Sequence, residues 1–171
     1  MRNKRVIREW IIKIVLHGVL LFGAYFLQAI VFPNLPIYGV NPVILPVVVT
    51  GVGMFEGHVR GGVFGLLAGM LCDISFNEPT IGFTLLLTAV GLIMGVLSNS
   101  ILAKGFPSYV ASSFVVLLAS LIVQIFPVVT LKSVAGSEIV VTAIIQTLYS
   151  LVFTFPFFYA VRGLSRKTMK A

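Results

Sequence analysis

The sequence predicts an all-α integral membrane protein of about six transmembrane helices, one polytopic domain over residues 1–171, with both termini in the cytoplasm. Three observations carry this expectation. Hydrophobic residues make up 58% of the 171-residue chain. Charged residues make up only 10%, against roughly 25% in an average soluble domain, which is too few to cover a water-facing globule. The mean hydropathy of +1.10 agrees. A bilayer removes the difficulty, because lipid solvates the apolar outside of a bundle whose backbone groups are satisfied within helices. Third, basic residues gather at the two ends: Arg2, Lys4, Arg5, Arg8 and Lys13, then Arg162, Arg166, Lys167 and Lys170.

At 1.5 Å per residue, about 20 apolar residues cross a hydrocarbon core of roughly 30 Å. Span 1 covers residues 11–32. It is longer than a secretory h-region and no A-x-A-like cleavage site follows, so it reads as a retained span. Pro33, Asn34 and Pro36 then break the helix. Span 2 covers residues 40–55, and Glu56, Gly57, His58, Val59 and Arg60 form a tight polar turn. Span 3 covers residues 61–74, and residues 75–80, with Asn77, Glu78 and Pro79, form a second turn. Span 4 runs over residues 81–102 until Lys104, Gly105 and Pro107 interrupt. Span 5 covers residues 108–129, a polar segment covers 130–138, and span 6 covers 139–161. Spans 2 and 3 are short, with about 14–16 usable residues or roughly 21–24 Å. Two readings fit them: a complete hairpin with shielded polar ends, or a re-entrant pair buried in protein.

Charge favours the hairpin and an even count. With six spans, eleven of the twelve Lys and Arg residues lie on the cytoplasmic side and only Lys132 faces out. An odd number would place one basic tail outside, against the cytoplasmic bias of Lys and Arg. The net charge of +7 is therefore a property of membrane flanks. Such flanks meet anionic headgroups, at about 1 kcal/mol per basic residue, and point to a lipid bilayer rather than nucleic acid as partner. Cys72 is the only cysteine. It excludes an internal disulfide and a multi-cysteine metal site, and reads as small apolar filler.

The most informative stretch places Gly61, Gly65, Gly69 and Asp73 four residues apart. Each step of four turns the helix face by about 40°, so the glycines form a slowly turning stripe without side chains. Gly91 and Gly95 repeat the device on span 4. Small residues at this spacing let membrane helices approach closely. The stripe reads either as packing within the bundle or as a face for another protein, with a lipid-facing groove beside span 3 docking a partner's single transmembrane helix. Asp73 lies near the outer end of span 3. A carboxylate costs about 2.5–3.5 kcal/mol at mid-membrane and less near an interface, so Asp73 is either a partner contact or a cap for a neighbouring helix. Glu56 and Arg60 are four apart, and as a water-exposed pair would contribute about 0–1 kcal/mol. His58, in the same turn, reads as interfacial. Gln28, Gln124 and Gln146 sit inside apolar spans. They read as amides bonding across helices, for about 0.6 kcal/mol each, with a small-molecule site between helices as the alternative. Pro46, Pro127 and Pro156 are kink candidates.

No catalytic residue, metal set or cofactor site is expected. His17 and His58 fall in different segments, the five acidic residues are scattered, and no H-E-x-x-H, nucleophile elbow or phosphate loop is present. No internal repeat supports an inverted-repeat transporter.

The order of features is distinctive. Leu27-Gln28 and Phe32-Pro33 close the first span, and a proline-containing span follows. G-x-x-x-G-x-x-x-G-x-x-x-D then runs from Gly61 to Asp73, and a short turn reaches Ile81-Gly82. This order resembles the rod shape-determining protein MreD family, over the whole chain by length and span pattern and specifically over residues 61–82. The sequence departs from that pattern at Asn41-Pro42-Val43, where many relatives carry an acidic residue after the proline, so no role for that acid carries over. The resemblance implies a multi-pass protein of the bacterial plasma membrane, a non-enzymatic partner of MreC. Through MreC it would connect MreB filaments to the RodA glycosyltransferase and its transpeptidase, directing lateral peptidoglycan synthesis and cell shape. It also implies a six-helix fold like the substrate-binding subunits of energy-coupling-factor vitamin transporters. A vitamin-binding subunit is accordingly the competing expectation. That reading needs an outward polar pocket, with Asp73, Asn77, Gln124 or Lys132 as candidates, and the short, polar-poor outer loops count against it.

Overall fold

The computed structural model describes residues 2–34, 40–75, 81–100, 105–131 and 136–167. Among these residues every element is helical. Helix α1 (Arg2–Phe26) passes into a π-helical turn (Leu27–Val31) and a 3-10 turn (Phe32–Asn34). Then come α2 (Leu45–Glu56), α3 (His58–Ser75), α4 (Gly82–Ser100), α5 (Phe106–Leu131) and α6 (Gly136–Lys167). The first helix thus winds through Pro33 before it stops. Asn34 Nδ2 donates to the Ile30 carbonyl at 2.7 Å and closes that last turn.

Three helices are long and apolar enough to cross a membrane, over Ile14–Asn34, Phe106–Ile125 and Val141–Ser165. Leu45–Glu56 and Gly82–Ser98 are apolar but shorter. The surface fits a membrane protein. Large apolar side chains point outward on α1 (Val19, Phe22), α3 (Val63, Ile74), α5 (Val115, Ile122) and α6 (Val152, Phe155). A surface of this kind is unfavourable in water and ordinary in lipid. Four buried hydroxyls are satisfied by their own helices: Thr50, Ser120, Thr147 and Ser150 each donate to the carbonyl four residues back, a local option open to Ser and Thr.

The centre of the bundle is α2, where every residue from Leu45 to Met54 is buried. It packs against α1, α3, α4, α5 and α6, and a helix apolar all round is suited to that place. The expected span over residues 40–55 is corrected at its start. Residues 41–44 are not helical, and Pro46 lies in the first turn of α2, where its missing N–H removes no helical bond. Pro46 therefore starts a helix and does not kink one. Three donors ahead of the helix are taken by side chains. Val43 N–H donates to Ser150 Oγ at 2.9 Å, and the Ile44 and Leu45 N–H groups donate to Gln28 Oε1 at 2.8 and 3.0 Å. Tyr109, fully buried on α5, lays its ring 3.2 Å from where a side chain at Gly51 would begin, and its hydroxyl donates to the Val47 carbonyl at 2.8 Å.

The expected polar turn over residues 56–60 shrinks to one residue. Gly57 has φ of 90°, a left-handed conformation that glycine adopts at no steric cost, and α3 starts immediately after it. Around α2 the core is completed by Leu21, Ala24, Ala68, Leu87, Phe158 and Val161. Cys72 is buried in the same core, as filler.

Candidate functional site

The motif residues meet on one seam. Gly61, Gly65 and Gly69 are buried and turn toward α4. A Cβ added at Gly61 would lie 2.7 Å from Gly53 Cα and closer still to the Gly91 carbonyl oxygen. One at Gly65 would lie 2.7 Å from the Leu87 carbonyl carbon, and one at Gly69 would lie 2.6 Å from the Phe83 oxygen. From the other side, Gly91 faces the backbone of Gly61 and Gly62, and Gly95 faces that of Gly57 and His58. The obstacles are backbone atoms, which cannot swing aside as a side chain can. Backbones this close gain dispersion contact along the full length of both helices. All five glycines expected from the sequence are therefore brought together, and Gly53 of α2 joins them.

This geometry corrects one expectation. The face of α3 that carries the stripe is covered by α4 of the same chain, so it is not a lipid-facing groove for a partner's helix. The large apolar residues of α3 that do face outward are Val59, Val63, Leu66, Leu67, Met70 and Ile74.

Asp73 ends the stripe and caps the next helix. Its Oδ1 accepts the Phe83 N–H at 3.0 Å, and its Oδ2 accepts the Thr84 N–H at 2.9 Å and the Thr84 hydroxyl at 2.6 Å. The first N–H groups of a helix lack partners within it, and a carboxylate there also meets the positive end of the helix dipole. Of the two expectations for Asp73, the cap is the one the structure realises. The seam and the cap fasten α3 and α4 at both ends of their contact.

A second polar cluster closes the opposite end of the bundle. The Glu56 side chain is only 1% exposed, which corrects the expected water-exposed pair with Arg60. Arg60 Nη1 and Ser165 Oγ donate to its two carboxylate oxygens, and His17 Nε2 lies 3.7 Å from Oε1. Four helices thus converge on one carboxylate. A buried carboxylate is tolerated only when paired and hydrogen-bonded. The i,i+4 spacing made Arg60 visible in the sequence. Nothing local pointed to His17 or Ser165. His58 is exposed, as expected of an interfacial residue.

The three glutamines inside apolar spans also converge. Gln28, held in the π-helical turn, caps α2 and points its amide nitrogen at Cys72 Sγ, 3.8 Å away. Gln146 Nε2 donates to the Asn41 carbonyl at 3.2 Å and to Gln124 Oε1 at 3.1 Å, and Gln124 Nε2 donates to the Ser120 carbonyl at 3.3 Å. All three line a cleft of about 570 Å³ together with Tyr25, Asn41 and Ser75. Asp73 is not among its lining residues, and Asn77 and Lys132 lie outside the described residues.

Among the described residues no group of three or more His, Cys, Asp or Glu side chains could hold a metal ion. Set against protein-family models, curated proteins and solved structures, the chain matches none.

Proposed function

We propose that the chain is a non-enzymatic membrane scaffold of bacterial cell-wall elongation, resembling the MreD family, that binds MreC and through it the MreB–RodA machinery with its transpeptidase. In this reading it is a six-span protein of the plasma membrane with both termini inside. The observation that carries it is the unity of the motif. The segments that make the resemblance specific, Gly61 to Asp73 and Ile81-Gly82, fold into one device, with the glycines packed on α4 and Asp73 capping it. A motif spent on joining two helices suits a protein that presents a rigid surface more than one that moves a substrate. The short α2, walled by protein and capped by Gln28 and Ser150, supports a complete hairpin, because its polar ends are shielded. The eleven-to-one distribution of basic residues supports the orientation.

The test is affinity capture of the tagged full-length protein from the membranes of a rod-shaped bacterium. The expected result is recovery of MreC, with rounding of the cells when the protein is depleted. Recovery of ATPase subunits and a bound vitamin without MreC would instead favour the substrate-binding subunit of an energy-coupling-factor-type transporter. Folded protein that captures no MreC overturns the scaffold reading.

A further inference from the structure

The glutamine cleft is not needed for holding helices together. Gln28 and Ser150 already fix the entry to α2, yet a cleft of about 570 Å³ remains between α1, α3, α5, α6 and the segment before α2. That volume falls within the roughly 300–1,000 Å³ of small-molecule sites. We propose that it binds an uncharged small molecule bearing amide or hydroxyl groups.

Three observations fix the ligand class. First, among the described residues no Lys, Arg, Asp, Glu or His lines the cleft. A charged ligand entering it would lose water and gain no counter-charge from these residues. The N-terminus of α2, the one backbone feature that would favour an anion, is already occupied by Gln28 Oε1 and Ser150 Oγ. Second, hydrogen-bonding capacity is left over. Gln146 donates twice through Nε2, and its Oε1 accepts no bond from the described residues. Tyr25 Oη accepts from Ser75 Oγ at 3.2 Å and keeps its own proton to donate. The carbonyl oxygen accepts and the hydroxyl donates, which matches neutral amides and alcohols. Third, the walls between them are apolar and stiff: Ala29, Pro33, Val40, Pro42 and Val43. A preformed site spends little of its binding free energy on ordering.

The test uses the full-length protein in lipid nanodiscs, read by thermal unfolding and native mass spectrometry. Riboflavin and N-acetylglucosamine serve as uncharged probes, and flavin mononucleotide and glucosamine as their charged counterparts. At least one uncharged probe should raise the unfolding temperature and appear as a bound mass, with its charged counterpart at least ten-fold weaker. Ala29→Trp, which fills the cleft without removing a hydrogen bond, should abolish the shift. Gln124→Leu with Gln146→Leu should weaken binding ten-fold or more. The proposal is overturned if neither uncharged probe binds, if the charged probes bind as well, or if Ala29→Trp binds as the unaltered protein does. It stands apart from the scaffold reading, since Ala29→Trp should still capture MreC.

Discussion

Replacing Gly65 by alanine tests the α3–α4 seam most directly. The new Cβ would sit 2.7 Å from the Leu87 carbonyl carbon, with Thr88 Cα 3.1 Å away, whereas ordinary van der Waals contact begins near 3.4 Å. The Leu87 carbonyl oxygen is closer still, so the helices must part by about 1 Å or more at that point. Because both sides are backbone, the separation spreads along the seam to Gly61 and Gly69. Overpacking of a close-packed interior costs about 1–3 kcal/mol. Backbone on both sides puts the cost at the upper end of that range, and alanine gains roughly 0.8–1.0 kcal/mol over glycine in helix propensity, so a net loss of about 1–2 kcal/mol remains. Gly18 and Gly23 supply the control. A Cβ at either meets nothing within 4 Å, so alanine there should be neutral or slightly stabilising. Cys72 makes the assay simple, since it is the only cysteine and is buried. A maleimide dye that fluoresces on reacting with it reports unfolding during a temperature ramp. Gly65→Ala and Gly69→Ala should unfold several degrees below the parent, and Gly18→Ala should not. If the seam variants unfold at or above the parent's temperature, the close approach of α3 and α4 is wrong.

Other residues give further expectations by the same readout. Asp73→Asn keeps one acceptor oxygen for three donors, so it should cost about 1–2 kcal/mol through the lost cap on α4. On the proposed scaffold reading, MreC capture stays intact in the folded fraction. Gln28→Leu strands the buried N–H groups of Ile44 and Leu45, at about 1–3 kcal/mol each, and amide hydrogen exchange should rise selectively in the first turn of α2. Glu56→Ala removes the carboxylate shared by His17, Arg60 and Ser165 and should cost about 2–4 kcal/mol, with Glu56→Gln milder because it keeps the shape. For topology, Lys132→Cys in a Cys72→Ser background should react with an impermeant maleimide on intact cells, and Lys104→Cys only after permeabilisation. The opposite pattern would invert the orientation.

Much of the helical architecture was legible because apolar runs and the positions of Lys and Arg are signals that need no tertiary context. The limits appear at α2. Val40, Val43 and Ile44 carry the apolar run of the helix that follows across Asn41-Pro42, so the apolar pattern extends the span through them. What ends it is a side chain 16 residues away and another 107 residues away. The glycine stripe was visible by its period, but a stripe does not name the helix that covers it. Glu56 and Arg60 were visible as an i,i+4 pair, whereas the burial of Glu56 depends on His17 and Ser165, far along the chain. The glutamines stood out against their apolar surroundings, and only the fold brings them to one cleft.

The enclosure of α2 has a consequence for how the protein is made. Its 12 residues span about 18 Å, short of the roughly 30 Å of a hydrocarbon core. Val43 N–H finds its acceptor on Ser150, and the Val47 carbonyl takes a further donor from Tyr109. A nascent chain that ends before α6 therefore leaves the Val43 N–H, at the entry to α2, without this acceptor. The centre of the molecule is completed last. Products halted before residue 150 would lack that acceptor, so the entry to α2 is sealed only when α6 is in place.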